Sequence, residues 1–172
     1  RPSVSPLNYS DIRTGRSGPT KGGSAFGSYN GNYVKWIGFY SNANDPTNVI
    51  SLDAAYASLR SCQYSEIHYC RIVGNPATVN NGRDNYSGVR VESADYCVTN
   101  NNDISGFNGY VNYSGMISYK NWDWTAHHNH IYNCQNGFQL KGGYRQGERS
   151  KFGGFLRWDC AYNDIHDCKT VL

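Results

Sequence analysis

Histidines and carboxylates flank an isoleucine in three short segments of the chain, and these residue types can do acid/base chemistry. The segments are Asn-Asp-Ile-Ser beginning at residue 102, Asn-His-Ile-Tyr at residue 129 and Asn-Asp-Ile-His at residue 163. If each isoleucine points inward from a strand, the residues on either side of it point outward. We therefore predict an outward cluster with catalytic roles, which consists of Asp103, His130, Tyr132, Asp164 and His166.

Such a cluster can exchange protons or hold a metal ion, because carboxylates beside a histidine raise its pKa and both groups are metal ligands. The alternative is a solvated polar face whose charges alternate by chance. His127 and His128 precede His130, but consecutive histidines point in different directions, so one ion rarely takes all three. No two cysteines have the spacing of a zinc finger. We expect no bound metal and no cofactor, and a metal-dependent enzyme is the third choice of function.

A second candidate site is the basic segment from residue 141 to residue 154. It has four basic side chains and the single acid Glu148, a local excess of +3. Long loops on a rigid scaffold often hold binding residues, and Arg and Lys pair with carboxylate or sulfate groups. We predict that this segment binds an anionic sugar; the alternative is a flexible, soluble loop. The predicted binding residues are Lys141, Tyr144, Arg145, Arg149 and Lys151.

A longer repeat predicts how these residues are positioned. Its key apolar residue recurs with spacings of 31, 37, 27 and 34, at Trp36, Ile67, Ile104, Ile131 and Ile165. An irregular period in the thirties suits a solenoid whose loops vary in length. We expect the apolar residues to stack in one interior column. We also expect a hydrogen-bonded ladder of asparagines at a corner, formed by Asn102, Asn129 and Asn163.

Short alternating runs between the repeats predict β-strands. Val89-Arg90-Val91 and Phe138-Gln139-Leu140 are examples. A glycine precedes several of these runs, where we expect a sharp corner. The glycines are Gly88, Gly115, Gly137 and Gly154. An antiparallel sandwich also has many short strands, but it does not explain why four segments share residue types at four or five positions.

This pattern resembles the right-handed parallel β-helix superfamily, which includes pectate and alginate lyases, chondroitinases, polygalacturonases and viral tailspikes. The resemblance covers residues from about 30 to 172, and the segments 136 to 143 and 163 to 168 are typical of its rungs. It implies an all-β solenoid of about five rungs over residues 30–172, after an N-terminal extension over residues 1–29. It points to no single family, so no family's catalytic residues are carried over.

The composition excludes several other classes of protein. A charged fraction of 17% and an aromatic fraction of 15% are unlike those of disordered chains. The formal charge of +3 is too small for a nucleic-acid-binding surface. No apolar run approaches the eighteen or so residues that span a bilayer. We therefore expect neither nucleic acid nor membrane as a partner.

The repeat also predicts that the six cysteines are structural thiols rather than a disulfide framework. It places Cys70, Cys134 and Cys168 in one inward column, and Cys62 and Cys160 in another. Cysteines three rungs apart are too distant for a bridge. Only Cys134 and Cys168, in adjacent rungs, could approach bonding distance.

These observations favour a secreted, extracellular protein that recognises a polysaccharide, with an anionic polymer preferred and cleavage left open. The competing hypothesis is a non-catalytic rod of an extracellular filament, adhesin or viral spike. The last repeat stops shortly before Leu172 without a visible cap. Solenoids need capped ends. We expect that the gene product continues, or that self-association covers this end.

Overall fold

The computed structural model describes residues 26–42, 55–74, 87–109, 111–141 and 157–171. These ranges contain fifteen β-strands, and no helix in them is long and apolar enough to cross a membrane. The strands are β1 (Phe26–Tyr29), β2 (Lys35–Ile37), β3 (Tyr40–Asn42), β4 (Ala55–Arg60), β5 (Glu66–His68), β6 (Arg71–Val73), β7 (Ser87–Glu92), β8 (Asp95–Asn100), β9 (Asp103–Ser105), β10 (Ser114–Tyr119), β11 (Trp122–Thr125), β12 (His130–Tyr132), β13 (Asn136–Lys141), β14 (Trp158–Asp159) and β15 (Asp164–His166).

Strands three apart along the chain pair with one another and build three sheets. Sheet A contains β1, β4, β7, β10 and β13; sheet B contains β2, β5, β8, β11 and β14; sheet C contains β3, β6, β9, β12 and β15. Every pair of strands is parallel. The chain therefore coils from sheet A to B to C and back to A. This confirms the predicted parallel β-helix, and it excludes an antiparallel sandwich.

Single residues with a positive φ angle turn the chain at its corners. Three tyrosines at or beside the corner between sheets A and B are among them: Tyr33 and Tyr64, with φ angles of 60° and 52°, precede β2 and β5, and Tyr96, with a φ angle of 54°, is the second residue of β8. Their rings stack, with centroids 5.1 Å and then 4.9 Å apart. Some other corners use an Asn or Asp, such as Asn101 or Asp167, whose short polar side chains tolerate this conformation, and others use Tyr69, His128 or Tyr162. Most of the described corners thus do without glycine.

The glycines predicted at corners lie instead inside strands of sheet A. Gly88, Gly115 and Gly137 belong to β7, β10 and β13. A Cβ atom on Gly115 would lie 2.3 Å from Cγ2 of Ile131, and one on Gly137 would lie 2.6 Å from Cγ2 of Ile165. These positions need glycine because isoleucines of sheet C fill the space of a side chain. The corner prediction is wrong for these three glycines; Gly154 lies outside the described residues.

The predicted isoleucine column is correct for its last three members. Ile104, Ile131 and Ile165 are cross-strand partners in sheet C. Ile72 on β6 extends the column by one strand, and Ile72, Ile104 and Ile131 are fully buried. Contact with the glycines of sheet A lets this column fill a narrow interior without voids.

The first two members, Trp36 and Ile67, belong to sheet B rather than to this column. They pair with each other, and Ile67 pairs with Thr99 on β8. The alignment is therefore wrong by one strand in the first part of the chain. Its cause is that strands of both sheets place one inward apolar residue between two outward residues, so the local pattern does not distinguish them.

The predicted asparagine ladder is present at the corner between sheets B and C. Oδ1 of Asn129 accepts hydrogen bonds from the backbone N–H (3.1 Å) and the side-chain Nδ2 (3.0 Å) of Asn102. Oδ1 of Asn163 accepts the same two bonds from Asn129, each at 2.9 Å. Each Nδ2 also donates to a backbone carbonyl oxygen in a strand of sheet B or just after one. The three acceptors are the carbonyl oxygens of Ile67, Thr99 and Ala126. The ladder thus joins two sheets and successive coils.

All six cysteines are free thiols, as the prediction of structural thiols requires. Cys134 and Cys168 are in contact, as predicted, and the hydrogen bond from Cys134 lowers the pKa of Cys168 to about 7. Burial raises the pKa of Cys70 to about 11. The columns were assigned wrongly, however. The backbone N–H of Cys70 donates to Oδ1 of Asn102. Cys70 therefore lies in line with the asparagine ladder, one coil before Asn102, and not in the column of Cys134 and Cys168.

The second predicted cysteine column is also wrong. Cys160 follows Asp159, which lies in register with Thr125, Val98 and Glu66 in sheet B. Cys160 therefore continues the column of Ile67. Ile67 itself lies five residues after Cys62 in the chain, so Cys62 and Cys160 are in different columns. The register error that displaced Ile67 accounts for this error too.

Candidate functional site

The outer face of sheet C brings the five predicted catalytic residues together. Asp103, His130 and Asp164 are cross-strand partners on β9, β12 and β15. Two residues further along, Tyr132 and His166 are also partners. Residues two apart on a strand share a face, so all five side chains lie on one surface, which we call the histidine cluster. Their catalytic roles stay a prediction.

The two histidines of the cluster face each other through the same ring atom. Nε2 of His130 lies 2.9 Å from Nε2 of His166. On the far side of each ring, Nδ1 lies beside a carboxylate: 3.4 Å from Oδ1 of Asp103 for His130, and 2.9 Å from Oδ2 of Asp167 for His166. A continuous chain of polar atoms therefore runs from Asp103 through two imidazoles to Asp167.

The rings of the cluster also stack. The His130 centroid lies 4.5 Å from that of Tyr132 and 5.1 Å from that of His166, and Tyr132 and His166 are 5.4 Å apart. The hydrogen bond that Nδ1 of His166 donates to the carboxylate of Asp167 raises the pKa of His166. The side chains of His130 and His166 are each 45% exposed. The cluster is thus ordered by ring stacking and by hydrogen bonds, while its two histidine side chains remain partly exposed to solution.

Sequence reasoning missed two neighbours of the cluster. Arg71 is the partner of Asp103 on β6, with its Nε 3.5 Å from Oδ2 of that residue, and it lies 5.7 Å from the centroid of the Tyr40 ring. The misaligned repeat placed Glu66 there instead, although Glu66 lies in sheet B. Asp167 sits at a left-handed corner, φ 52°, and strand alternation gives no signal for its direction.

The predicted binding segment is mostly outside the described residues. Of its members only Lys141 is described; it ends β13 in sheet A and is half-buried. Tyr144, Arg145, Arg149 and Lys151 lie outside the described residues. Their role in binding a sugar stays a prediction.

The rings of His127 and His128 lie 6.1 Å apart and both pack against the Tyr162 ring. Nε2 of His127 lies 2.9 Å from Oδ1 of Asp159 in sheet B. The His128 ring stacks on Tyr162, with centroids 5.4 Å apart. The side chains of these two histidines thus contact Asp159 and Tyr162, whereas His130 groups with Asp164 and His166.

Sheet B has a shallow cleft of about 510 Å³ on its outer side. It is lined by Asp123, Trp124, Thr125, Arg157, Trp158 and Asp159. Its charged groups have partners: Arg157 Nε lies 2.5 Å from Oδ1 of Asp123, and Asp159 pairs with His127. Because these charged groups are already paired, they are less available to a ligand than the groups of the histidine cluster.

Comparisons with known proteins add no functional evidence for these features. No protein-family model matches the chain, and neither the curated proteins nor the solved structures contain a significant match. The parallel β-helix rests on the strand pairing itself. Kinship with the lyases or tailspikes has no support beyond the resemblance in sequence pattern.

Proposed function

We propose that this chain is an extracellular module that recognises an anionic polysaccharide lying along the outer face of sheet C. One observation carries the proposal: a row of polar and aromatic side chains occupies successive strands of one exposed face. The row runs through Tyr40, Arg71, Asp103, His130 and Asp164. Successive strands are about 4.8 Å apart, so the row offers evenly spaced contacts to an extended, repeating polymer.

The row itself is not cationic, because the carboxylates of Asp103 and Asp164 outnumber the single guanidinium of Arg71, so binding of an acidic polymer depends on the cations that remain exposed. Arg71 and His130 both lie beside Asp103, and His166 lies beside Asp167. Arg71 is 61% exposed, so it can form a charge-assisted hydrogen bond with a carboxylate or sulfate. The exposed ring of Tyr40 beside it offers an apolar face for a sugar. The basic segment 141–154 adds four cations in the same chain.

Titration calorimetry against polygalacturonate, alginate and a sulfated glycan, in EDTA and at two salt concentrations, tests the proposal. We expect binding that weakens with salt, because exposed charge pairs are screened. Arg71→Ala should weaken it by about 1–2 kcal/mol, and Arg145→Ala with Arg149→Ala by about 1–3 kcal/mol together. Lys35→Ala, which removes an exposed cation from sheet B, is the matched control and should change nothing.

Absence of binding to all three polymers would overturn the proposal. So would binding that ignores both salt and the arginine substitutions. Either result would favour the structural rod. Incubation with the same polymers, followed by detection of unsaturated products, separates binding from cleavage. Cleavage that His130→Ala abolishes would establish the predicted acid/base role of the histidine cluster.

A further inference from the structure

We infer that the histidine cluster is a binding site for one divalent transition-metal cation of the Zn²⁺ class. The ligands are Nε2 of His130, Nε2 of His166 and a carboxylate oxygen of Asp164, whose donor atoms all lie within 4.8 Å of one another. This inference goes beyond the proposed function and does not depend on it. It also departs from the sequence-based expectation of no metal, which did not include the direction of the rings.

The geometry of the two imidazoles carries the argument. Nδ1 of His166 lies 2.9 Å from Oδ2 of Asp167, and a carboxylate only accepts hydrogen bonds, so this Nδ1 carries the proton. In a neutral His166, Nε2 then has a lone pair and no proton. That lone pair faces Nε2 of His130 across 2.9 Å, where either a proton on His130 or a cation bound by both nitrogen atoms joins the two rings.

A third ligand is in place beside the two histidines. Asp164 is the cross-strand partner of His130, and it lies two residues before His166 on β15. All three side chains therefore project from the same face. Two imidazoles and one carboxylate form a donor set that Zn²⁺ accepts, with the remaining positions open to water. The exposure of the cluster gives an ion a direct path from solution.

The carboxylates behind the rings match the usual support of metal-binding histidines. Such histidines donate their other N–H to a carboxylate or carbonyl, which fixes the tautomer and the ring orientation. Asp167 occupies this position for His166, and Asp103 lies near Nδ1 of His130, at 3.4 Å. Zn–N bonds of about 2.0–2.1 Å in a tetrahedron place two nitrogen atoms roughly 3.3 Å apart. The rings must separate by a few tenths of an ångström, which half-exposed side chains allow.

Other histidines of the chain show that this arrangement is specific to the cluster. In sheet B, Nε2 of His68 lies 2.6 Å from Oε2 of Glu66, and Nε2 of His127 lies 2.9 Å from Oδ1 of Asp159. In both cases a carboxylate already occupies the nitrogen that would bind an ion. These two histidines are therefore matched controls for the cluster.

Calorimetric titration of the EDTA-treated, dialysed full chain with ZnCl₂, without glycan, tests the inference. We expect one equivalent of Zn²⁺, and Co²⁺ should give the visible absorption bands of a tetrahedral or five-coordinate site. His130→Ala and His166→Ala should each lower the affinity at least 100-fold, and Asp167→Asn should lower it about 10-fold by removing support for the ring. His68→Ala and His127→Ala should leave the affinity unchanged.

Thermal melts of each variant without metal verify that it is folded. Failure of the native chain to bind Zn²⁺ or Co²⁺ would overturn the inference and show that a proton, rather than a metal, joins the two rings. Binding that survives both His130→Ala and His166→Ala, or that is lost in His127→Ala, would place the metal elsewhere and overturn it as well. Because no glycan is present, failure here is distinct from failure of the polysaccharide proposal.

Discussion

Two polar stacks run along the same three strands of sheet C, one residue apart in sequence. The inner stack is the asparagine ladder of residues 102, 129 and 163; the outer stack begins at residues 103, 130 and 164. Asn102 and Asn129 are 1% exposed, whereas the side chain of His130 is 45% exposed. In the ladder each amide group described above has a hydrogen-bond partner, while in the outer stack the Nε2 atoms of His130 and His166 face each other across 2.9 Å.

The difference between the stacks follows from access to water. A buried amide without a partner costs about 1–3 kcal/mol, so only a ladder with complete pairing is stable inside the coil. An exposed group can use water as its partner, which leaves its direction free to serve a ligand. The inner stack therefore fixes the spacing of the coils, and the outer stack uses that spacing to place ligand groups.

The largest effect is expected from breaking the inner stack with Asn129→Ala. The change removes the acceptor for two donors of Asn102 and the donor to the Thr99 carbonyl. At about 1–3 kcal/mol for each buried group left without a partner, we expect a loss of about 3–5 kcal/mol in the free energy of unfolding. Urea unfolding followed by circular dichroism measures it.

His130→Ala, one residue away, is the matched control for this loss. Its side chain is exposed and has no buried partner to orphan, so its free energy of unfolding should stay within about 0.5 kcal/mol of the native value. Equal losses for the two substitutions would mean that both stacks are structural. That outcome would contradict the comparison.

The next largest effect tests how the interior holds the outer stack in place. Gly115→Ala puts a Cβ atom 2.3 Å from Cγ2 of Ile131, which lies between His130 and Tyr132 on β12. We expect a loss of about 1–3 kcal/mol from overpacking. In the Gly115→Ala, Ile131→Ala double variant the clash with the Ile131 side chain is gone and only the 3.0 Å contact with the Gly137 carbonyl oxygen remains, so the combined loss should be smaller than the sum of the two single losses. Additive losses would show that the glycine is not required by the isoleucine.

The sequence allowed the parallel coil, the asparagine ladder and the grouping of five site residues to be predicted. These features depend on strand alternation and on residue types that recur at one position, which a single sequence displays. The register of Trp36 and Ile67 could not be predicted, since strands of sheets B and C share one local pattern. Nor could the role of Gly115, because it depends on contact with Ile131 across the interior. The pairing of Nε2 atoms in the cluster requires ring directions that sequence patterns do not contain.

The last prediction concerns reactivity and involves the smallest effect on stability. It compares a buried thiol, Cys70, with a half-buried thiol, Cys168. Cys70 is 1% exposed and its pKa is raised by burial to about 11, whereas the half-buried Cys168 has a pKa lowered to about 7 by the hydrogen bond from Cys134. At pH 8 Cys168 is mostly thiolate, and the thiolate fraction of Cys70 is lower by about a thousandfold. The lower intrinsic nucleophilicity of a low-pKa thiolate offsets part of this difference, so we expect iodoacetamide to alkylate Cys168 at least about tenfold faster than Cys70.

The alkylation rate of Cys168 should rise between pH 6 and pH 8 and then level off, while that of Cys70 should keep rising above pH 10. Peptide mapping by mass spectrometry gives both rates, and the chain unfolded in urea, where the two thiols should react alike, is the control. Equal rates in the folded chain would show that Cys168 is as closed to solvent as Cys70.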